Sequence, residues 1–405
     1  MNKVSLGIAS ILVSVGLHGQ GFVLQGGSDG SDGALEVTEN QTLTLPPDGI
    51  FNYTTVTIAE GATLSFERNA LNTPVYLLAT GDVTVAGTID IQGKVGSGLS
   101  GGKGGPGGFD GGRPGFTSDS PPGAGFGPGG GKGGAKDDRS PEGAGAGAFR
   151  STPSQTAISA NGRSENHGNT YGNALLRPLI GGSGGGGAAG SPGLGGGGGG
   201  GALLIGSPMK IVLTGSILAA GGPSADRNAV DNAGSGGAIR LVAPTVEGNG
   251  EINVRGGDNH RSGFESGSNH AGHGRIRMDA FEISGATGMT FSPTASLSAG
   301  SSVFVFPASR PSLDIVSAAG SDIAPGTQGP VRLNLPFNAP TTQNVRLRAA
   351  NFGGVVPVSV LVTPAHGDPT EFQGEIDNTA SNPAEVELSV EVPTNVQVTL
   401  QVWTR

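Results

Sequence analysis

Three histidines and two carboxylates crowd one stretch of this chain. His260, His270 and His273 lie close to Asp258 and Glu265. The His-x-x-His spacing of His270 and His273 sets two imidazoles where one ion can take both. Asp258, His260, His270 and His273 are therefore the candidate ligand-binding cluster, with no metal assigned to it; loop histidines without further constraint are usually solvated. Asp226, Asp231 and Asp258 offer the oxygen ligands that calcium prefers, although Asp and Asn serve ordinary turns as well. Asp137 and Asp138 are adjacent, but glycoside hydrolysis needs two carboxylates held roughly 5–10 Å apart on a rigid face. The pattern organises no such pair. No catalytic residue is assigned and no cofactor is expected: no Gly-Lys-Ser/Thr opens a helix, and the chain has no cysteine.

These residues sit in loops, so the elements between them must do the positioning. Four segments overlay: "VYLLATGDVTVAGTIDIQG" from Val75, "ALLIGSPMKIVLTGSILAAGG" from Ala202, "AIRLVAPTVEGNGEINVRGG" from Ala238 and "RIRMDAFEISGATGMTF" from Arg275. Tyr76/Leu78, Leu203/Ile205, Ile239/Leu241 and Ile276/Met278 take equivalent, inward places. Arg240 and Arg277 stand between the last two pairs, the period-two mark of a strand with one buried face. Six residues separate Val37 from Leu43, Ile58 from Leu64, Val83 from Ile89, Ile211 from Ile217, Val246 from Ile252 and Ile283 from Met289. A Gly or Asn lies within each interval and supplies the positive φ of a corner.

The units recur at 21 and 25 residues near the N-terminus and at 35 and 37 residues later. Periods of this length indicate a solenoid, and a coil of three short strands predicts a parallel β-helix. The longer intervals are coils with insertions, which start after Gly93, Gly222 and Gly257. All three leave after the third strand of a coil and pile up on one side.

The longest insertion spans 94–201 and is glycine-rich: 78 of the 405 residues of the chain are glycine. "GGKGGPGGFDGGRPGF" from Gly101 runs in triplets, and three residues is the repeat of a polyproline II helix. Two bare faces would let neighbouring rods approach closely. An α-helix is excluded, because each glycine costs about 1 kcal/mol relative to alanine. The other reading is a disordered linker, since ordering glycine costs the most backbone entropy. Phe109, Phe116, Phe126 and Phe149 within the segment favour packing.

After about Ser302 glycine thins out. "SLDIVSA", "VRLNL", "NVRLRAAN", "VVPVSVLVTP", "EFQGEID", "EVELSVEV" and "NVQVTLQVW" read as seven short strands, the pattern of an immunoglobulin-like sandwich over 302–405 with Trp403 in its core. At the other end, Lys3 followed by apolar residues to Leu17 reads as a signal peptide over 1–21, too short for a membrane span. The expected organisation is thus all-β: signal peptide, right-handed parallel β-helix over 22–301 with its glycine-rich, polyproline II-like or disordered insertion, then the sandwich. The chain is expected to be secreted or held at the cell surface. Its net charge of −9 is mild and unclustered, so no nucleic-acid partner is expected, and no later segment predicts a membrane span.

The coils "GALLIGSPMKIVLTGSILAAGG", "GSGGAIRLVAPTVEGNGEINVRGG" and "GHGRIRMDAFEISG" resemble glycine-rich secreted bacterial proteins with a pectin-lyase-like right-handed β-helix, over about residues 35–300. That superfamily includes polysaccharide lyases and hydrolases and also adhesin passengers without catalysis, so the fold alone does not choose. Polygalacturonases use a Gly-His-Gly motif and a separate Arg-Ile-Lys motif. Here "GHGRIR" at 272–277 would fuse them, yet it matches "GGAIR" at 236–240 in the coil before, and a repeat consensus accounts for it. The paired Asp motifs of that family are missing. The signal, solenoid, lateral insertion and sandwich, without a coherent catalytic set, point to a non-catalytic extracellular protein of the adhesin-passenger type, meeting a matrix, glycan or surface partner. The alternative is a polysaccharide-binding or polysaccharide-degrading protein, which the poverty in Trp and Tyr disfavours. Ice binding by a flat array of small residues is a third, smaller possibility.

Overall fold

The computed structural model describes residues 27–115, 121–134, 144–153, 166–189, 193–224, 232–258, 271–306, 309–327, 329–336, 338–365 and 367–404. Its strands run in triplets. β1 (Ala34–Val37), β2 (Gln41–Thr44) and β3 (Ile50–Tyr53) are followed by β4 (Thr55–Ile58), β5 (Thr63–Glu67) and β6 (Val75–Ala79), then β7 (Val83–Val85), β8 (Thr88–Asp90) and β9 (Ala202–Gly206). β10 (Lys210–Leu213), β11 (Ser216–Leu218) and β12 (Ala238–Val242) make the fourth triplet, and β13 (Thr245–Gly248), β14 (Glu251–Asn253) and β15 (Arg275–Asp279) the fifth; β16 (Thr290–Ser292) and β17 (Leu297–Gly300) close the series. The members of each triplet pair in parallel with their counterparts in the next. The result is three parallel sheets of five, six and six strands, an arrangement compatible with a β-helix.

The pairing stacks like on like. Leu64, Ile89, Ile217 and Ile252 stand opposite one another along one sheet, all fully buried in one apolar cluster that all three sheets share. Each such side chain contributes about 1.5–3 kcal/mol by leaving water. No triplet can enclose this cluster alone, which is why the strands need their neighbours.

Three register expectations are corrected. Val75 and Leu77, not Tyr76 and Leu78, stand opposite Leu203 and Ile205. "VYLLA" is apolar at every position, so alternation carries no phase, and a one-residue slip turns every side chain over. Tyr76 therefore points away from the central cluster, with its ring 5.0 Å from that of Phe306. The six-residue interval holds from Val83 to Ile252 but not at either end: Val56 stands opposite Val83, and Phe291, not Met289, opposite Ile252.

Arg240 and Arg277 form the third correction. They stand side by side in register on the outer face of their sheet, yet only 2% and 9% of their surfaces are exposed. A second apolar cluster covers that face, built from Leu176, Leu179, Val303 and Val305 with Phe149. Asp279 answers both charges. Its Oδ2 accepts from Arg240 at 2.8 and 3.0 Å, and its Oδ1 from Arg277 at 2.9 Å.

Beyond Ser312 the ladders turn antiparallel. β18 (Ser312–Ala318), β19 (Ser321–Asp322), β20 (Thr342–Ala350) and β23 (Ala384–Glu391) form one sheet; β21 (Val355–Pro364), β22 (Thr370–Asp377) and β24 (Val398–Thr404) form another. One apolar cluster lies between them, a sandwich-like pair of layers. "VRLNL" forms no strand, although Leu333 and Leu335 still pack on that cluster. Trp403, expected in the core, alternates onto the opposite face with Thr399 and Gln401 and is half-buried.

Every tyrosine of the chain is shielded. Burial pushes the phenols of Tyr53 and Tyr76 up to about 12 and raises that of Tyr171 as well. The folded state then holds these protons more tightly than the unfolded chain, whose phenols release them near pH 10. Stability is expected to be full below pH 10 and to fall as the pH rises toward 12. Phenolate absorbance of the native protein is expected to stay flat through pH 11 and to appear near pH 10 once urea unfolds it; native titration near pH 10 would contradict the packing.

Candidate functional site

The three excursions leave the stacked sheets at one corner, between β8 and β9, β11 and β12, and β14 and β15. Their described residues form no α-helix and almost no ladder, yet their backbone amides are paired. Gly195–Gly201, the glycine run that leads into β9, sits at the centre. Gly195, Gly198 and Gly201 donate to Ser97, Lys94 and Ile91. Gly196, Gly199 and Ala202 donate to Gly112, Phe109 and Pro106; Gly197 and Gly200 donate to Asn232 and Ser235. Every third amide thus faces the same neighbour. The carbonyls answer in the same rhythm: those of Gly196 and Gly199 accept from Gly102 and Gly105, and those of Gly197 and Gly200 from Gly185 and Gly182. A buried segment that satisfies its backbone through neighbours on all sides carries no desolvation penalty. It also has no face left for a side chain. Segments at the margin keep one such face, and there the triplets admit Lys103, Phe109 and Arg113.

The expected ligand cluster lies at the edge of this assembly. Ala271 donates to the Gly257 carbonyl at 3.1 Å, which sets the Asp258 and His273 segments side by side, and the Asp258 carbonyl accepts from Ser224 at 3.0 Å. The His273 Nδ1 accepts from the Gly256 amide at 3.2 Å, while its own amide donates to Ser151 Oγ at 3.0 Å. That nitrogen is occupied in satisfying backbone rather than presented to an ion. His260 and His270, like Asp226, Asp231, Asp137, Asp138 and Glu265, lie outside the described residues. Among the described residues no group of three His, Asp or Glu side chains is gathered as a metal would need. The arginines of "GHGRIR" are structural too. Arg275 donates to the Tyr171 and Gly172 carbonyls at 2.9 and 3.2 Å and lies over the Phe149 ring; Arg277 belongs to the Asp279 pair.

A feature that the sequence did not signal stands nearby. A cleft of about 630 Å³ opens where the β5–β6 connection, the start of the first excursion and β24 meet. Arg68 and Asp110 brace it through a two-pronged ion pair at 2.6 and 3.3 Å, and Asp110 also accepts from the Gly104 amide. Asn72 clamps the same turn, accepting from the Gly107 amide at 3.1 Å and donating to the Gly108 carbonyl at 2.6 Å. Phe66, Phe109 and Phe126 supply apolar surface, and Lys94, Lys103 and Gln401 line it as well. These residues come from four distant parts of the chain, so no local motif could have marked them; the charged members of the glycine triplets were the one available cue.

The fold and corner define a class: an all-β chain of stacked parallel sheets, followed by sandwich-like antiparallel layers. No protein-family model, curated protein or solved structure matches the chain.

Proposed function

We propose that this is an exported, non-catalytic structural or adhesive protein of the cell surface or extracellular space. In this reading residues 1–21 are a signal peptide and 22–301 a right-handed β-helix. The 94–201 insertion forms polyproline II-like rods, and 302–405 an immunoglobulin-like sandwich. The carrying observation is the three-residue rhythm of hydrogen bonds around Gly195–Gly201, which is the period of a polyproline II helix. Such an assembly offers an extended, side-chain-poor surface rather than a deep reactive pocket. The ionised groups support the same reading: the buried carboxylate of Asp279 is committed to two arginines. No helix among the described residues is long and apolar enough to cross a membrane.

The surface has apolar tips suited to adhesion. Leu99 lies within the Ser97–Ser100 turn and Val95 just before it, and they are 82% and 51% exposed. The purified chain is expected to be retained on immobilised matrix or glycan surfaces. The double variant Val95→Ser/Leu99→Ser is expected to be retained several-fold less at unchanged thermal stability. Pectin and alginate, with and without Ca²⁺, are expected to remain intact; release of unsaturated uronates would overturn the reading in favour of a lyase. Expression with the native N-terminus is expected to yield exported protein lacking about the first 21 residues, read by N-terminal sequencing.

A further inference from the structure

The outer side of the sheet that holds β12 and β15 gathers charge of one sign. Arginines scattered through the sequence meet there: Arg150, Arg177, Arg240, Arg275 and Arg277. The Arg150 amide donates to the His273 carbonyl at 2.9 Å, which sets it beside the start of β15 and Arg275. Arg177 Nη2 donates to the Phe304 carbonyl at 3.3 Å, the oxygen that also accepts from Arg240 at 3.1 Å. Among the described residues a single carboxylate stands with them, and Asp279 is committed to Arg240 and Arg277. The covering segments supply no other. The chain has no Asp or Glu between Glu282 and Asp314, and the described residues from 144 to 224 have none. Farther along, Arg310 has Asp48 at 3.9 Å. Arg150, Arg177 and Arg275 are thus left without an acid, Arg177 exposed and the other two half-buried, in a chain of net charge −9.

Two further observations describe the ligand. Burial lowers the Arg275 pKa, and the charge of Arg150 beside it lowers it further. Arg275 Nη2 serves the Tyr171 and Gly172 carbonyls, which are neutral, and its Nε is buried without a partner. An anion between the two guanidiniums relieves their repulsion. A carboxylate has two oxygens, which one guanidinium fork takes up; two forks at one place suit a group with three, such as a sulfate ester. The scarce aromatic rings gather on the same side. Tyr171 stacks on Phe149, Arg177 lies 5.3 Å from the Phe304 ring, and Tyr76 meets Phe306. Tyr171 and Phe304 are partly exposed, which offers apolar surface to the faces of sugar rings. We propose that this face binds a sulfated polysaccharide. One sulfate lies between Arg150 and Arg275, another on Arg177, and the sugar rings lie on Tyr171 and Phe304. The proposal rests on the non-catalytic, extracellular reading only for where such a polymer is met.

The test uses the full chain and fluorescein-labelled dextran sulfate, beside unsulfated dextran, polygalacturonate and polyphosphate, read by anisotropy. Dextran sulfate is expected to bind, with affinity that falls as salt rises, and dextran is not. Arg150→Gln/Arg177→Gln is expected to lose at least about tenfold in affinity at an unchanged urea midpoint. Arg150→Gln alone, whose side chain bonds to no described residue, is expected to lose several-fold. Lys94→Gln/Lys103→Gln removes the same charge elsewhere and is expected to bind as the parent does. No binding of dextran sulfate, equal losses in the two double variants, or polygalacturonate or polyphosphate bound as tightly would each overturn the proposal. Retention on unsulfated matrix surfaces, measured in parallel, separates the two readings: retention without dextran sulfate binding removes this proposal alone.

Discussion

Gly196→Ala is expected to destabilise the protein by about 3 kcal/mol or more, at the upper end of what overpacking costs. A Cβ at this position would lie deep inside contact distance of the Gly185 carbonyl, with the Gly186 carbonyl next to it. Both obstacles are backbone, so no rotamer change relieves the overlap. The neighbouring segments must separate, and the bonds from Gly196 to Gly112 and from Gly102 to Gly196 stretch with them. Gly199 meets the Gly182 carbonyl in the same way, so Gly196→Ala/Gly199→Ala is expected to give no soluble folded protein. Gly98→Ala is the internal control. It belongs to the same insertion, but its nearest neighbour to an added Cβ is the Gly193 carbonyl at 3.6 Å, ordinary contact. Its urea midpoint is expected to move by no more than about 0.5 kcal/mol. Equal tolerance of alanine at positions 98 and 196 would show that the glycine-rich segments are not packed in solution.

Replacement of Asp279 by Asn is expected to cost about 3–5 kcal/mol, the usual consequence of stranding buried charge. Arg240 would keep one carbonyl, that of Phe304 at 3.1 Å, and Arg277 that of Ala299 at 3.0 Å. Neither neutralises a guanidinium. Burial already disfavours the charged form of Arg240 and lowers its pKa, with Asp279 as the chief opposing influence. The triple change Arg240→Met/Arg277→Met/Asp279→Val removes charges and partner together and is expected to recover most of the loss, since apolar replacements of buried ion groups are often neutral. Urea unfolding of the two variants checks both halves. A loss below about 1 kcal/mol for Asp279→Asn would mean that water reaches the arginines. Because Arg240 and Asp279 lie on different strands, β12 and β15, and the covering segment 302–306 bonds to Arg240, the same network joins adjacent coils to the start of the sandwich-like part.

These two sites also divide what the residue order dictated from what folding in space decided. Composition and spacing determined the all-β class and the stacking of like upon like. They placed three excursions at one corner, because an apolar residue every second position and a Gly or Asn at each bend leave little else for the backbone to do. The triplets set a three-residue rhythm that the hydrogen bonds around Gly195–Gly201 follow. Where the local pattern was uniform it lost its phase, as in "VYLLA", and only pairing with β9 decided which face Tyr76 takes. The burial of Arg240 and Arg277 was invisible for a related reason: alternation assigns a residue to a face, but whether that face meets water depends on Leu176 and Val303, remote in sequence. The cleft was hidden most completely. Lys94, Lys103 and Gln401 share no pattern, and only the meeting of an excursion with an outer strand brings them to one cleft.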